Sequence, residues 1–213
     1  IARFSQSLQR RVKVERELCA DFVGGEKIGR YEILPESAVV IIPYEIAEEG
    51  AKLISLDSLQ RRYPMTHRYL AANENALRRR ERGRLAQTDG WHGFIYPKNL
   101  EVIRQPKILT RDIISDVAYA LDEDGSIAFV TGYGITLDPQ YPYSMKYVLS
   151  ILNSSFGDFA LKQLNTFVRG GYVRIFSQYL KPIPIRRISF TTPAAEHQRY
   201  AEQGRRLYEQ YAD

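Results

Sequence analysis

Few residues in this chain have the types and spacing that chemistry requires, and each group has a structural alternative. Asp122-Glu123-Asp124 offers oxygen ligands suited to a hard cation. Gly125 follows it, however, and an acidic string ending in Asp-Gly reads first as an exposed hairpin tip. Asn153-Ser154-Ser155-Phe156 pairs a polar residue with an aromatic ring, the combination that grips and stacks an extruded nucleobase. The two prolines of such a loop are missing and the surroundings are apolar and helical, so the string reads as structural. A metal-dependent nuclease of the common restriction type needs an acidic-x-Lys element. None of the eight lysines has Asp or Glu two residues before it. Gly132-Tyr133-Gly134 lacks the third glycine of a nucleotide fingerprint, and no nucleophile elbow or phosphate-binding Walker loop is present. No catalytic residue and no metal ligand set is therefore assigned. Cys19 is the only cysteine, which excludes a disulfide framework within the chain. His67, His92 and His197 are widely spaced and read as structural or surface residues.

The remaining candidates bind rather than react. Phosphate contacts need Lys or Arg on loops and helix ends, and base edges are read by Arg, Lys, Asn or Gln. Two segments suit this. The first holds Arg78, Arg79, Arg80 and Arg84, although arginines at a helix C-terminus also complement the helix dipole. The second is Arg169-Gly170-Gly171-Tyr172-Val173-Arg174, where paired glycines allow close backbone approach. Arg169, Tyr172 and Arg174 would contact phosphate or stack, and the alternative is a tight turn between two helices. Lys98, Lys107 and Arg111 are scattered further candidates. The net charge of +5 is compatible with a polyanionic partner without requiring one.

The elements that must position these residues follow from periodicity. Alternation predicts a strand over residues 11–15, and a β-branched run predicts a buried strand over 38–42 closed by Pro43. A short helix is expected over 16–22. Another is expected over 57–62, and a longer one over 66–82 with Thr66 as its N-cap. Lys107–Thr110 reads as a strand. Val117–Leu121 and Ser126–Val130 read as the two arms of a hairpin. Residues 145–159 carry one apolar helical face, with Asn153-Ser154-Ser155 breaking or re-capping it. Residues 194–211 form a polar, charged helix. The fold class expected is α+β: mostly antiparallel, twisted sheets with packed helices, plus a C-terminal packing helix. The domain reading is one module over 1–192 and a spacer helix over 193–213. At 213 residues with 44% hydrophobic content, the chain can bury one full core or two smaller ones. Its longest apolar run, about Ala38 to Ile42, is far too short to cross a bilayer, so no membrane partner is expected and the location expected is cytoplasmic. The chain starts at Ile1 rather than Met, and it is expected to be a piece of a larger protein with further chemistry upstream.

The order of several short strings resembles the TaqI-like C-terminal specificity domain of adenine-specific DNA methyltransferases and fused restriction-modification enzymes. It is also similar to the target-recognition domains of type I specificity subunits. The strings include Ile28-Gly29-Arg30-Tyr31, Ile42-Pro43-Tyr44, Tyr63-Pro64 and Leu77-Arg78-Arg79-Arg80-Glu81. They continue with Gln105-Pro106-Lys107-Ile108-Leu109-Thr110, Leu149-Ser150-Ile151-Leu152-Asn153-Ser154 and Leu180-Lys181-Pro182-Ile183-Pro184-Ile185. The resemblance implies a module that reads double-stranded DNA, without a cofactor of its own. An upstream methyltransferase domain of the same chain would bind S-adenosylmethionine and flip out an adenine. The resemblance maps no residue onto a base contact. The alternative reading is a protein-interaction domain that docks a partner subunit.

Overall fold

The computed structural model describes residues 1–35, 38–47, 50–187 and 194–212. The chain divides into two compact units. The first comprises Ile1–Phe22, Ser37–Arg104 and Ser126–Ala128, and the second comprises Val23–Glu36, Gln105–Gly125 and Phe129–Asp213. The architecture is mixed α+β with several small, mostly antiparallel sheets and a C-terminal helix.

The first unit opens with a hairpin of β1 (Ala2–Ser5) and β2 (Arg10–Lys13). Strand β3 (Cys19–Gly24) starts here and pairs with β4 (Val39–Ile41). The helix expected over 16–22 is replaced by one 3-10 turn, Arg16–Leu18, running directly into β3. The burial of Leu18, Cys19 and Ala20 explains the difference: an extended chain delivers these consecutive apolar residues into two cores. A second hairpin joins β5 (Tyr44–Ala47) to β6 (Gly50–Leu53). Ser55 caps α1 (Leu56–Arg62) by accepting from the Ser58 amide. The long helix expected from Thr66 begins earlier and breaks twice, giving α2 (Pro64–Ala72), α3 (Glu74–Arg78) and α4 (Arg80–Gly83). Pro64 takes the first helical position, where a missing N–H costs nothing.

Thr66 is not the cap. It is fully buried, and the α2 N-terminus is capped from a distance by Glu15. One carboxylate oxygen accepts from the Met65 amide at 2.9 Å. The other accepts from the Thr66 amide at 2.7 Å and the Thr66 hydroxyl at 2.5 Å. A negative charge there also complements the helix dipole. Partial burial pushes the Glu15 pKa up, but the bonds from Thr66 and Met65 outweigh it, leaving a net shift below the ordinary glutamate value.

The second unit is built on β7 (Lys107–Arg111), with β8 (Ile113–Ile114) following directly. β9 (Tyr119–Asp122) and β10 (Ile127–Val130) flank the acidic turn, and β11 (Gly132–Ile135) follows. Both acidic-turn arms form, yet not as a hairpin. β9 pairs with β7, whose other side is taken by β11, while β10 adds to the β3-β4 sheet. The turn signal was sound, since Gly125 has φ +67°, but the two strands peel apart into different sheets. Of the acidic string, Glu123 and Asp124 are exposed at the turn, but Asp122 is 2% exposed and pairs with Lys107.

Helices α5 (Met145–Leu152) and α6 (Ser155–Leu164) come next, followed by strands β12 (Phe167–Val168) and β13 (Tyr172–Arg174). The chain ends with the single turn α7 (Ser177–Leu180) and the long helix α8 (Ala194–Ala212), which lies against α5. Ser144 and Ser154 cap α5 and α6 through their hydroxyls, so the break expected at residues 153–155 is present and re-capped. The core here gathers Ile108, Tyr119, Leu149, Leu161, Val173 and Ile175, among others. Asn153 fastens α5 to β9. Its amide donates to the Tyr119 carbonyl at 2.8 Å and accepts from the Tyr119 N–H at 3.0 Å. No helix among the described residues is long and apolar enough to cross a membrane.

Candidate nucleic-acid interface

In the second unit the strands β12, β13 and β8 form a three-stranded sheet in the order β12-β13-β8. Its register pairs Val168 with Tyr172 and Arg174 with Ile113 on one face, and Val173 with both Ile114 and Phe167, the last 61% exposed at the sheet edge, on the other. Successive side chains on a strand alternate between faces. Val173 (1% exposed) and Ile114 (4%) enter the core. Tyr172, Arg174, Val168 and Ile113 therefore stand outward, and all four are exposed. The bond from the Ile175 amide to the Asp112 carbonyl, at 2.7 Å, continues the pairing beyond β13.

The β12–β13 connection is Arg169-Gly170-Gly171, so the basic glycine turn joins two strands rather than two helices. Gly170 (φ +88°) and Gly171 (φ +79°) both occupy the left-handed region. Any Cβ would be strained there, which explains why two glycines occupy the tip. Arg169 projects at this tip, exposed and without a side-chain partner among the described residues. The Arg174 guanidinium lies 5.3 Å from the ring centre of Phe176, itself exposed. The outer face thus combines two guanidinium groups, two aromatic rings and two β-branched side chains. That set can neutralise phosphates, present donors to guanine, and pack against sugars or bases. A two-stranded ribbon also fits a B-DNA major groove, about 12 Å wide.

The arginine run in the first unit divides by role. Arg78 bonds Glu74 at 2.8 Å and the carbonyls of Ala86 and Thr88, and lies 5.3 Å from the Trp91 ring centre. Arg80 bonds the carbonyls of Leu77, Trp91 and Gly93, and its burial lowers its pKa. These two side chains staple the 84–93 segment to the helices. Arg79 is exposed and free of side-chain partners among the described residues. Arg84 is also exposed, holding the Tyr96 hydroxyl at 3.0 Å and lying over its ring. Glu81 and Arg82 have left-handed backbones (φ +47° and +58°), followed by Gly83 at φ +81°. This costs roughly 1–3 kcal/mol for each non-glycine residue. The kink ends the helix and carries Arg82, exposed and absent from the sequence-derived candidates, to the surface.

The scattered candidates separate equally clearly. Lys98 is exposed. Lys107 is 1% exposed, its ammonium satisfied by Asp122 and the Gln105 carbonyl, and is unavailable to a ligand. Arg111 is spent on the carbonyls of Ile28, at 2.6 Å, and Glu26. Sequence reasoning missed Ile113 and Val168 because strands of two or three residues are too short to display a period of two, and Phe176 because it follows β13 outside any periodic segment. His92 is buried with its Nε2 2.8 Å from the Ile54 carbonyl, a structural histidine.

The small antiparallel sheets expose basic and aromatic side chains at strand ends and turns. The chain belongs to the TaqI-like C-terminal specificity domain family, whose model matches residues 21–185. Membership implies DNA target recognition in restriction-modification systems, and hence DNA binding. No curated relative matches the chain.

Proposed function

We propose that this chain is the DNA target-recognition domain of an adenine-specific methyltransferase from a restriction-modification or phage-defence system. The catalytic, S-adenosylmethionine-binding domain would lie upstream. Family membership supports the DNA-reading role, and the resemblance to adenine methyltransferase modules supports the finer assignment. The observation that carries the reading to particular residues is the outward face of β12, β13 and β8, with Arg169, Tyr172 and Arg174 displayed on a glycine-tipped hairpin. Arg79, Arg84 and Lys98 supply phosphate contacts from the first unit. Arg78, Arg80, Lys107 and Arg111 act indirectly, by holding the loops and strands in place.

The test is duplex binding as a function of salt. Each phosphate contact contributes about −0.9 to the slope of log K against log [salt]. Arg169→Ala with Arg174→Ala should flatten that slope by up to about 2 units and weaken binding. Arg205→Ala with Arg206→Ala, on exposed positions of α8, should change neither. Equal effects of the two double variants would remove the hairpin assignment. Binding that ignores salt, or no binding at low salt, would remove DNA reading altogether. Capture of a partner subunit without DNA retardation would then move the function to protein docking, for which exposed Phe156 (49%) and Phe159 (61%) on α6 offer an apolar surface.

A further inference from the structure

The β1–β2 hairpin lies outside the family-matched residues and carries the densest run of unpaired cations in the first unit. Its register places Ala2 opposite Lys13, Phe4 opposite Arg11, Arg3 opposite Val12 and Ser5 opposite Arg10. By alternation, Phe4, Arg11 and Lys13 share one face, and all three are exposed, Phe4 at 59%. Arg10 is exposed on the other face, near Arg68 of α2, and no ion pair engages Arg3, Arg10, Arg11, Lys13 or Arg68 among the described residues. Glu15 caps α2, and Asp21 pairs with Arg16 at 2.9 Å.

The hairpin is also held in place. Ser7 Oγ donates to Asn73 Oδ1 at 2.6 Å, and Ser5 Oγ lies 3.5 Å from the Tyr69 hydroxyl. Clefts of about 670 and 420 Å³ flank it, and Arg11 and Tyr69 line both. The hairpin sets an exposed phenyl ring directly across from an exposed guanidinium on a braced scaffold.

We propose that this hairpin face is a second contact for the sugar–phosphate backbone of duplex DNA, made by Arg11 and Lys13, and independent of the sequence read by β12 and β13. It rests on the DNA-reading function proposed above. Two unpaired cations on one strand, two residues apart, offer a polyanion a pair of contacts, and positively charged surfaces attract DNA without reading its bases.

The experiment measures binding of a fixed mixed-sequence duplex across a salt series. Arg11→Gln with Lys13→Gln keeps the side-chain stems and removes the charge. Losing two phosphate contacts should reduce the salt slope by about 1.8 and weaken binding at 0.1 M salt by roughly 60-fold, taking 1 M as the point where the effect vanishes. The ratio of affinities for two unrelated duplexes should stay unchanged. Arg11→Lys with Lys13→Arg should keep the wild-type slope. If wild type binds, Arg169→Ala with Arg174→Ala weakens it, and the glutamine variant keeps both slope and affinity, this inference fails while the DNA-reading function stands. If wild type does not bind duplex at all, both fall. If the charge-retaining variant loses as much slope as the glutamine variant, the effect is structural and the contact is refuted.

Discussion

Asn153→Ala should destabilise the fold measurably, and the size of the effect follows from what it leaves behind. Asn153 is 3% exposed and Tyr119 is fully buried. Removing the amide orphans the N–H of Tyr119, which now meets Asn153 at 3.0 Å, and leaves the Tyr119 carbonyl with the Tyr31 N–H alone, at 2.8 Å. A buried group without a partner costs about 1–3 kcal/mol. In a protein of this length that lowers the melting temperature by roughly 2–7 °C. Asn153→Asp is the sharper probe. Ionised, it can still accept from the Tyr119 N–H but presents an anionic oxygen to the Tyr119 carbonyl. Protonated, it can donate to that carbonyl as the native amide does. The native fold therefore raises the pKa of the introduced carboxyl, and its stability deficit relative to wild type shrinks as pH falls through that raised value. The alanine variant should show no such recovery. Urea melts monitored by circular dichroism from pH 7 down to pH 5 read both quantities. A loss below about 1 kcal/mol for Asn153→Ala, or identical pH profiles for the two variants, would refute the clamp.

Glu15→Gln should cost about 1–2 kcal/mol, the usual worth of a helix cap, and should remove a pH dependence that wild type possesses. Because the folded pKa of Glu15 lies below its ordinary value, its contribution is complete above that ordinary value and is lost as pH falls through the depressed one. Thermal melts of both proteins should thus converge at low pH, and a constant gap would contradict the capping role. Lys107→Met should destabilise by about 3–5 kcal/mol, because it removes the ammonium that pairs with the buried Asp122 carboxylate. Adding Asp122→Leu should recover most of the loss. At a temperature where Lys107→Met remains folded its DNA affinity should match wild type, and weaker binding with an altered salt slope would return Lys107 to the interface.

How much of this was legible beforehand depends on how local the signal was. Ser154 re-capping a helix after Asn153 is readable, because the hydroxyl and the amide it serves lie three residues apart. The polar α8 and the strand at Lys107–Thr110 were legible for the same reason. The acidic turn misled, since Asp-Gly specifies a reversal of direction but says nothing about which strand each arm will join. Thr66 misled in a similar way. Its sequence neighbours suited a cap, while the acceptor that caps α2 comes from Glu15, fifty-one positions away.

The arginines show the same limit in functional terms. Their charge and clustering are properties of the sequence, and so are the glycines that give the Arg169 turn its shape. Together with the order of short motifs, these were enough to point to a module that reads DNA. Sequence could not say which cations are free, because a guanidinium is neutralised or engaged by groups distant in the chain. Arg80 is used by the Trp91 and Gly93 carbonyls, Arg111 by the Ile28 carbonyl, and Lys107 by Asp122. Arg169, at the turn between β12 and β13, and Arg11, on the outer face of β2, are exposed and make no ion pair among the described residues. The order of the motifs thus pointed to the kind of partner, and tertiary pairing decided which charges remain available to meet it.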